Sequence, residues 1–340
     1  MLFGHGDDYY QSTRTISSNF SSNVWHGADL SGIREHLYRQ FDRLTRYPEP
    51  DAASLKRLLA QHYGVDTGQL VVTNGSITAF YLLAQAWQGA RSAIAVPSFA
   101  EYEDACRLHG HRLTFFPTKM GLSEIPLEEQ DMCWLCNPNN PDGRLYTRAE
   151  LLALLEANRQ VLFVIDQAYA DFVTTELLHP ADVEAHPNLV LVQSISKAHN
   201  LPGLRIGYLV ATPEIVTRVA RFLIPWSVNA VAVEVGCYVL SHPEQFVLPL
   251  RAWLDETAWF ISRLNEQGIV EALPTSTTFF LARLRRGKAA DLKHYLLETH
   301  GILIRDASNF RTLDGRYIRL STQTREENEA LLQALDAWTK

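Results

Sequence analysis

The run Ser194-Ile195-Ser196-Lys197-Ala198-His199-Asn200-Leu201-Pro202-Gly203-Leu204-Arg205-Ile206-Gly207 sets one lysine among hydroxyls, with an arginine eight residues further on. A lysine amine followed by small and apolar residues is a candidate for Schiff-base chemistry with a carbonyl. Hydroxyls and a guanidinium beside it suit a phosphate, because the guanidinium fork meets phosphate oxygens through two parallel N–H bonds. Ser194, Ser196, Lys197 and Arg205 together suggest a phosphorylated aldehyde bound covalently. A surface lysine on a polar loop has the same short pattern, so the weight lies in the rest of the chain.

Four further stations carry chemistry. Asn74-Gly75-Ser76-Ile77-Thr78 links a strand to a helix through a glycine turn. The amides of Ser76 and Ile77 would then lie at a helix N-terminus, where unpaired N–H groups and the helix dipole favour an anion. Asn137-Pro138-Asn139-Asn140-Pro141-Asp142-Gly143 is a double-proline turn that offers amide side chains such as Asn140, which could equally cap the turn itself. Val164-Ile165-Asp166-Gln167-Ala168-Tyr169 ends an apolar run in an acid with a phenol three residues on. A carboxylate there needs a partner, either a pyridinium N–H or the amides of a following helix. Arg305 and Arg319 stand in apolar C-terminal runs, where a guanidinium requires an anion or a structural ion pair.

The elements that must position these groups follow from hydrophobic periodicity. Ile33, Leu37, Phe41 and Leu44 recur at helical spacing, and Leu55, Leu58 and Leu59 mark a second helix from about Ala53 to His62. Apolar runs at 69–73, 92–96, 112–116, 132–136, 161–165, 189–193 and 206–210 predict seven strands, with helices at 74–87, 102–108 and 148–158. Continuous apolar strands between helices indicate an α/β fold with a mostly parallel sheet covered on both faces. Ligands of such sheets sit at the carboxyl ends of the strands, where the stations above mostly fall. After about Ala230 a long helical stretch runs through Leu240 to Leu264, followed by strands at 279–284, 301–305 and 317–320 and a helix from Glu326 to Trp338. The expected division is an N-terminal segment of residues 1–29 joining the smaller domain, a large domain of 30–235 and a small α+β domain of 236–340.

Composition narrows the class. A chain of 340 residues with 46% hydrophobic content supports a large core, and 340 residues suggest about two domains. The net charge of −7 is dispersed without a basic block, so neither a nucleic-acid nor an anionic membrane surface is expected. No stretch is long and apolar enough to span a bilayer and no leader pattern opens the chain, which makes cytoplasmic residence the expectation. Cys133 and Cys136 have redox or metal spacing, but they lie in an apolar run with no second pair, so no metal site is expected.

The ordered set N-G-S, N-P-N-N-P-D-G, D-Q-A-Y, S-I-S-K…G-L-R-I-G and a late R-L-S resembles the class I and II aminotransferases of fold-type I. The resemblance covers nearly the whole chain. It implies an aspartate-aminotransferase-like fold, pyridoxal 5′-phosphate as cofactor and a homodimer with shared active sites. On the matching positions, Lys197 would bind the cofactor aldehyde, Asp166 the pyridinium nitrogen, and Asn140 and Tyr169 the ring oxygen, with Phe99 stacked on the ring. The phosphate would rest on Gly75, Ser76, Ile77, Ser194, Ser196 and Arg205, with Tyr47 reaching it from the other subunit. Arg319 and Arg305 would hold substrate anions.

Tyr47 and Phe99 fit the branch that holds the histidinol-phosphate aminotransferases and the threonine-phosphate decarboxylases, which act on small phosphorylated amines or amino acids. Gln167 and Ile77-Thr78 depart from that branch's usual residues without removing a group the chemistry needs. His5-Gly6, Ile224 to Ala230, and Arg305 to Phe310 with Asp314 to Tyr317 look closer to the decarboxylases, and His5 is either a tail residue or a substrate-phosphate donor. Transamination remains the alternative. A scaffold without catalysis is the third reading, and the presence of Lys197, Asp166, Tyr169 and Arg205 speaks against it.

Overall fold

Strands with no polar alternation fold only where both faces are covered, and the seven central strands meet that requirement. A computed structural model describes residue 8 and residues 13–338. In chain order, β1 (Ser18–Asn19), α1 (Ser31–Arg39) and α2 (Ala53–Tyr63) precede β2 (Leu70–Thr73), α3 (Gly75–Ala86), β3 (Arg91–Val96), α4 (Glu101–Leu108) and β4 (Arg112–Pro117). Then follow β5 (Met132–Cys136), α5 (Arg148–Ala157), β6 (Leu162–Asp166), α6 (Asp182–Ala185), β7 (Leu189–Ser194), β8 (Gly207–Val210), α7 (Pro213–Ala220), α8 (Ala230–Ser241) and α9 (Leu250–Gln267). The C-terminal part holds β9 (Val270–Ala272), β10 (Phe279–Leu284), α10 (Ala289–His300), β11 (Ile302–Leu303), β12 (Arg305–Asp306), β13 (Tyr317–Ser321) and α11 (Arg325–Asp336).

The central sheet runs β2-β8-β7-β6-β5-β3-β4. β8 is antiparallel to both β2 and β7, and the other pairs are parallel. Side chains of β6 alternate between two cores: Phe163 and Ile165 pack with α2, α5 and α8, whereas Leu162 and Val164 pack with α3, α4 and α7. Cys133 and Cys136, three apart on β5, therefore face opposite cores and cannot ligate one ion. Because the parallel strands point the same way, the turns after β2, β3, β5, β6 and β7 gather at one edge.

A smaller C-terminal sheet, ordered β12-β13-β10-β9 and antiparallel throughout, packs α9, α10 and α11 through a separate core around Phe260, Phe280, Leu292 and Leu331. β1 pairs in parallel with β11, and Phe20 is buried in that same core, which carries the N-terminal segment across to the edge where those turns gather.

Three expectations are corrected. The helix predicted through Leu44 stops at Arg39 and continues as a 3₁₀ turn over Phe41–Thr45, leaving Phe41 and Leu44 exposed on this chain. The long stretch expected from about Ala230 through Leu240 to Leu264 is two helices, because Pro243 cannot continue the first and nucleates a 3₁₀ turn over Pro243–Phe246. The strand predicted at 301–305 is split: β11 pairs with the N-terminal segment and β12 with β13. Among the described residues no helix is long and apolar enough to cross a membrane.

Candidate active site

Each turn at the strand ends contributes for a local reason. Thr73 closes β2, Gly75 takes φ +76° and α3 begins at once, so the first amides of a twelve-residue helix face the sheet edge. A Cβ on Gly75 would stand 2.7 Å from Arg205 Nη2, and one on Gly207 would stand 2.5 Å from the Ser76 amide nitrogen. Only glycines let Arg205 and β8 approach the helix start this closely. Arg205, itself in the left-handed region at φ 56°, donates Nη1 to the Pro202 carbonyl.

Three asparagines follow β5, and two of them hold the turn. Asn137 exchanges hydrogen bonds with the Tyr146 backbone, and Asn139 donates to the Pro97 carbonyl and to Asp142. Asn140 instead accepts from Arg319 Nη1 at 2.6 Å. Asp166, the last residue of β6, receives the Ala168 amide on Oδ1 at 2.9 Å and the Tyr102 hydroxyl on Oδ2 at 2.5 Å. Burial pushes its carboxyl up to about 6, while those donors and Lys197 act against the rise. After β7, the Ser194 and Ser196 hydroxyls meet at 2.8 Å, and Lys197 Nζ lies 5.9 Å from the centre of the Tyr169 ring. Burial raises the Tyr169 phenol to about 12, so it stays protonated and can donate.

These groups line one cavity of about 210 Å³. Gly75, Ser76, Ile77, Phe99, Asn140, Asp166, Tyr169, Ser194, Ser196, Lys197, Arg205 and Arg319 all border it. Among the described lining residues Lys197, Arg205 and Arg319 are cationic and Asp166 is the carboxylate, so the cavity suits a ligand with anionic groups. Arg305 is the register partner of Arg319 across β12 and β13, is held by Asn309 at 2.8 Å, and lies outside that lining. Burial and the charge of Arg319 lower its pKa to about 10. Tyr47 is 88% exposed and packs on Trp226 at 5.6 Å between rings, away from this chain's cavity. His5 falls outside the described residues.

Sequence reasoning missed two contributions. Ser21, Ser22 and Asn23 enter the cavity from the N-terminal segment, and Asn23 sits 3% exposed with its amide facing the Tyr169 phenol. Their signal was a serine-rich stretch that reads as an ordinary loop. Tyr102, which bonds Asp166 from α4, reads as a core aromatic.

Comparison with known proteins gives this arrangement its setting. A crystal structure of L-threonine-O-3-phosphate decarboxylase from Porphyromonas gingivalis is 49% identical, with a TM-score of 0.92 over 94% of this chain and 98% of that one. Threonine-phosphate decarboxylase from Salmonella typhimurium is 30% identical over 93% of this chain and 90% of its own. Histidinol-phosphate aminotransferase from Desulfitobacterium hafniense is 29% identical over 89% of this chain and 87% of its own. The sequence profile of aminotransferases of class I and II matches residues 16–335. That family works with pyridoxal 5′-phosphate. An amine, a buried carboxylate, a protonated phenol and a glycine-opened helix start beside hydroxyls and a guanidinium are the partners such a cofactor requires. The chain belongs to the class I and II aminotransferase family and is a pyridoxal 5′-phosphate-dependent enzyme.

Proposed function

We propose that this enzyme decarboxylates a phosphorylated amino acid of the O-phospho-L-threonine type. The observation that carries the reading is the pairing of Arg305 with Arg319 in register on adjacent strands, beside a cavity in which Arg205 already faces the start of α3. Arg205, Ser194, Ser196 and the Ser76 and Ile77 amides would hold the cofactor phosphate, with Asp166 at the ring nitrogen, Asn140 and Tyr169 at the ring oxygen and Phe99 against the ring. Arg319 at the cavity and Arg305 beside it in register would then add positive charge toward a substrate that is itself doubly anionic. The likeness to two threonine-phosphate decarboxylases supports the same choice.

When bound, pyridoxal phosphate supplies an electron sink for the pair left at Cα as a bond to that carbon breaks. Arg319, fixed by Asn140 and the Ser21 carbonyl at 2.6 Å each, sets where the substrate carboxylate lies. That position decides which Cα bond stands across the ring, and so which bond is labile. Lys197 returns a proton to Cα after carbon dioxide leaves. Asn23, buried in the lining beside Tyr169, would be placed to hold a substrate oxygen.

Transamination of histidinol phosphate is the second reading, supported by the Desulfitobacterium relative. One assay separates the two. Incubation with O-phospho-L-threonine should release carbon dioxide and leave a phosphorylated amine. Glutamate formed from L-histidinol phosphate and 2-oxoglutarate, with no carbon dioxide in the first reaction, overturns the decarboxylase.

The same reading makes the enzyme a homodimer. Tyr38, Phe41, Leu44 and Tyr47 form an exposed apolar run, and Trp226, packed on Tyr47, extends it with Ile224. Contiguous apolar surface of this kind marks an interaction site. Tyr47 would enter the partner's cavity and reach the cofactor phosphate. Tyr47→Ala should then weaken cofactor binding by about tenfold, as expected when one charged hydrogen bond is lost. Subunits carrying Tyr47→Ala, reassembled with inactive Lys197→Ala subunits, should regain activity, because each hybrid has one complete site. A 38.5 kDa monomer with full activity in light scattering would rule the dimer out.

A further inference from the structure

Asp166 is buried at the end of β6, yet its task requires a negative charge beside the ring nitrogen of the cofactor. A carboxylate out of water keeps its charge only when donors reach its oxygens. Here the Ala168 amide reaches Oδ1 and the Tyr102 hydroxyl reaches Oδ2, and the Cys136 thiol adds a weaker hydrogen bond. The amide belongs to the turn itself. Tyr102 comes from a different element, α4, 64 residues earlier.

The ring of Tyr102 is fully packed. It stacks on Trp134 with centres 6.1 Å apart, and it meets Phe80 at 4.9 Å and Phe99 at 5.8 Å edge to face. An aromatic in this cluster fills its place without a hydroxyl, so packing alone accounts for the ring but not for the oxygen. The hydroxyl is 1% exposed with its residue and points at Asp166. The remaining groups facing Asp166 are Cys136 at the end of β5, Tyr169 after β6 and Lys197 after β7. Burial drives the Cys136 thiol well up, so it stays neutral, and Tyr169 stays a phenol.

We propose that Tyr102 is a positioning residue of the reaction: its hydroxyl fixes the Asp166 carboxylate and holds it in the charged form that the cofactor ring needs. The proposal rests on the reading that Asp166 pairs with the ring nitrogen. Burial, together with the adjacent carboxylate, raises the Tyr102 phenol far above its ordinary range, so it remains a donor at every working pH. Phe99, which lines the cavity and meets the Tyr102 ring, links the same residue to the face on which the cofactor ring would rest.

Tyr102→Phe tests this, because it keeps the ring packing and deletes one oxygen. The carbon-13 shift of the Asp166 carboxylate, titrated in cofactor-free protein, should report a midpoint roughly one pH unit above wild type, the effect of losing one donor to a buried anion. The acid limb of cofactor affinity, followed by absorbance, should move up by the same amount, while the thermal midpoint of the cofactor-free variant stays near wild type below about pH 5, where Asp166 is protonated in both, and falls behind it only as the pH rises through the titration. An unchanged carboxylate midpoint in Tyr102→Phe overturns the proposal whatever the activity does. Asp166→Asn separates the two readings: if it binds cofactor and turns over like wild type, the pairing assigned to Asp166 fails, independently of the Tyr102 titration.

Discussion

Lys197→Ala should leave the protein folded and reduce turnover by about 10³-fold or more, the scale expected when a positioned proton-transfer group and nucleophile are lost together. Lys197 is half-buried, and its side chain contributes to neither large core. Its backbone carbonyl accepts from the Trp25 amide at 3.1 Å, a bond that alanine preserves. The loop should therefore hold its course, with Asn200 still in the left-handed region that ends it. What disappears is the amine near Tyr169 that, on the proposed reading, would bind the cofactor aldehyde and move the Cα proton. The measurement is paired. Wild-type protein should retain cofactor through denaturation after borohydride, one per chain, and the variant should lose it. Activity within tenfold of wild type would remove Lys197 from the mechanism.

How much of this site was legible depends on how local each constraint is. The turns at Gly75, Asn140, Asp166 and Lys197 are written in consecutive residues, because a strand end, a turn and a helix start each need particular residue types. Parallel strand order then brings the turns together without further instruction. Asn23 is different. It reaches the cavity because Ser18 and Asn19 pair with Ile302 and Leu303, a partnership between the two ends of the chain that no short window contains. The side-by-side placement of Arg305 and Arg319 likewise follows from the register of β12 on β13. Tyr102 was hidden for another reason. Its ring satisfies the helical periodicity of a core residue, and periodicity carries no information about where a hydroxyl points. Phe41 and Leu44 were misassigned because an apolar spacing signals that a face is covered but not what covers it.

Asp166→Asn should produce the second large loss, and its pH behaviour identifies the cause. Burial raises the Asp166 carboxyl from 3.8 to about 6 in the cofactor-free chain. Between those values the folded chain retains a proton that the unfolded chain has released. This group's contribution to stability therefore declines as the pH climbs from about 4 through about 6, and above that the protein holds a buried charge at a cost. On the proposed pairing, a cofactor whose ring nitrogen is protonated would relieve that cost. The gain in thermal stability on adding pyridoxal 5′-phosphate should consequently be larger at pH 8 than at pH 5, and this difference should vanish in Asp166→Asn. The amide fits the same space and still accepts the Ala168 amide, but it has no charge with which to hold the ring proton. Turnover should fall by about 10²- to 10³-fold, the scale of removing one preorganised electrostatic partner. A variant whose cofactor-induced stabilisation still grows from pH 5 to pH 8 would show that another group carries the linkage. Among the described residues lining the cavity, Asp166 is the carboxylate available to do so.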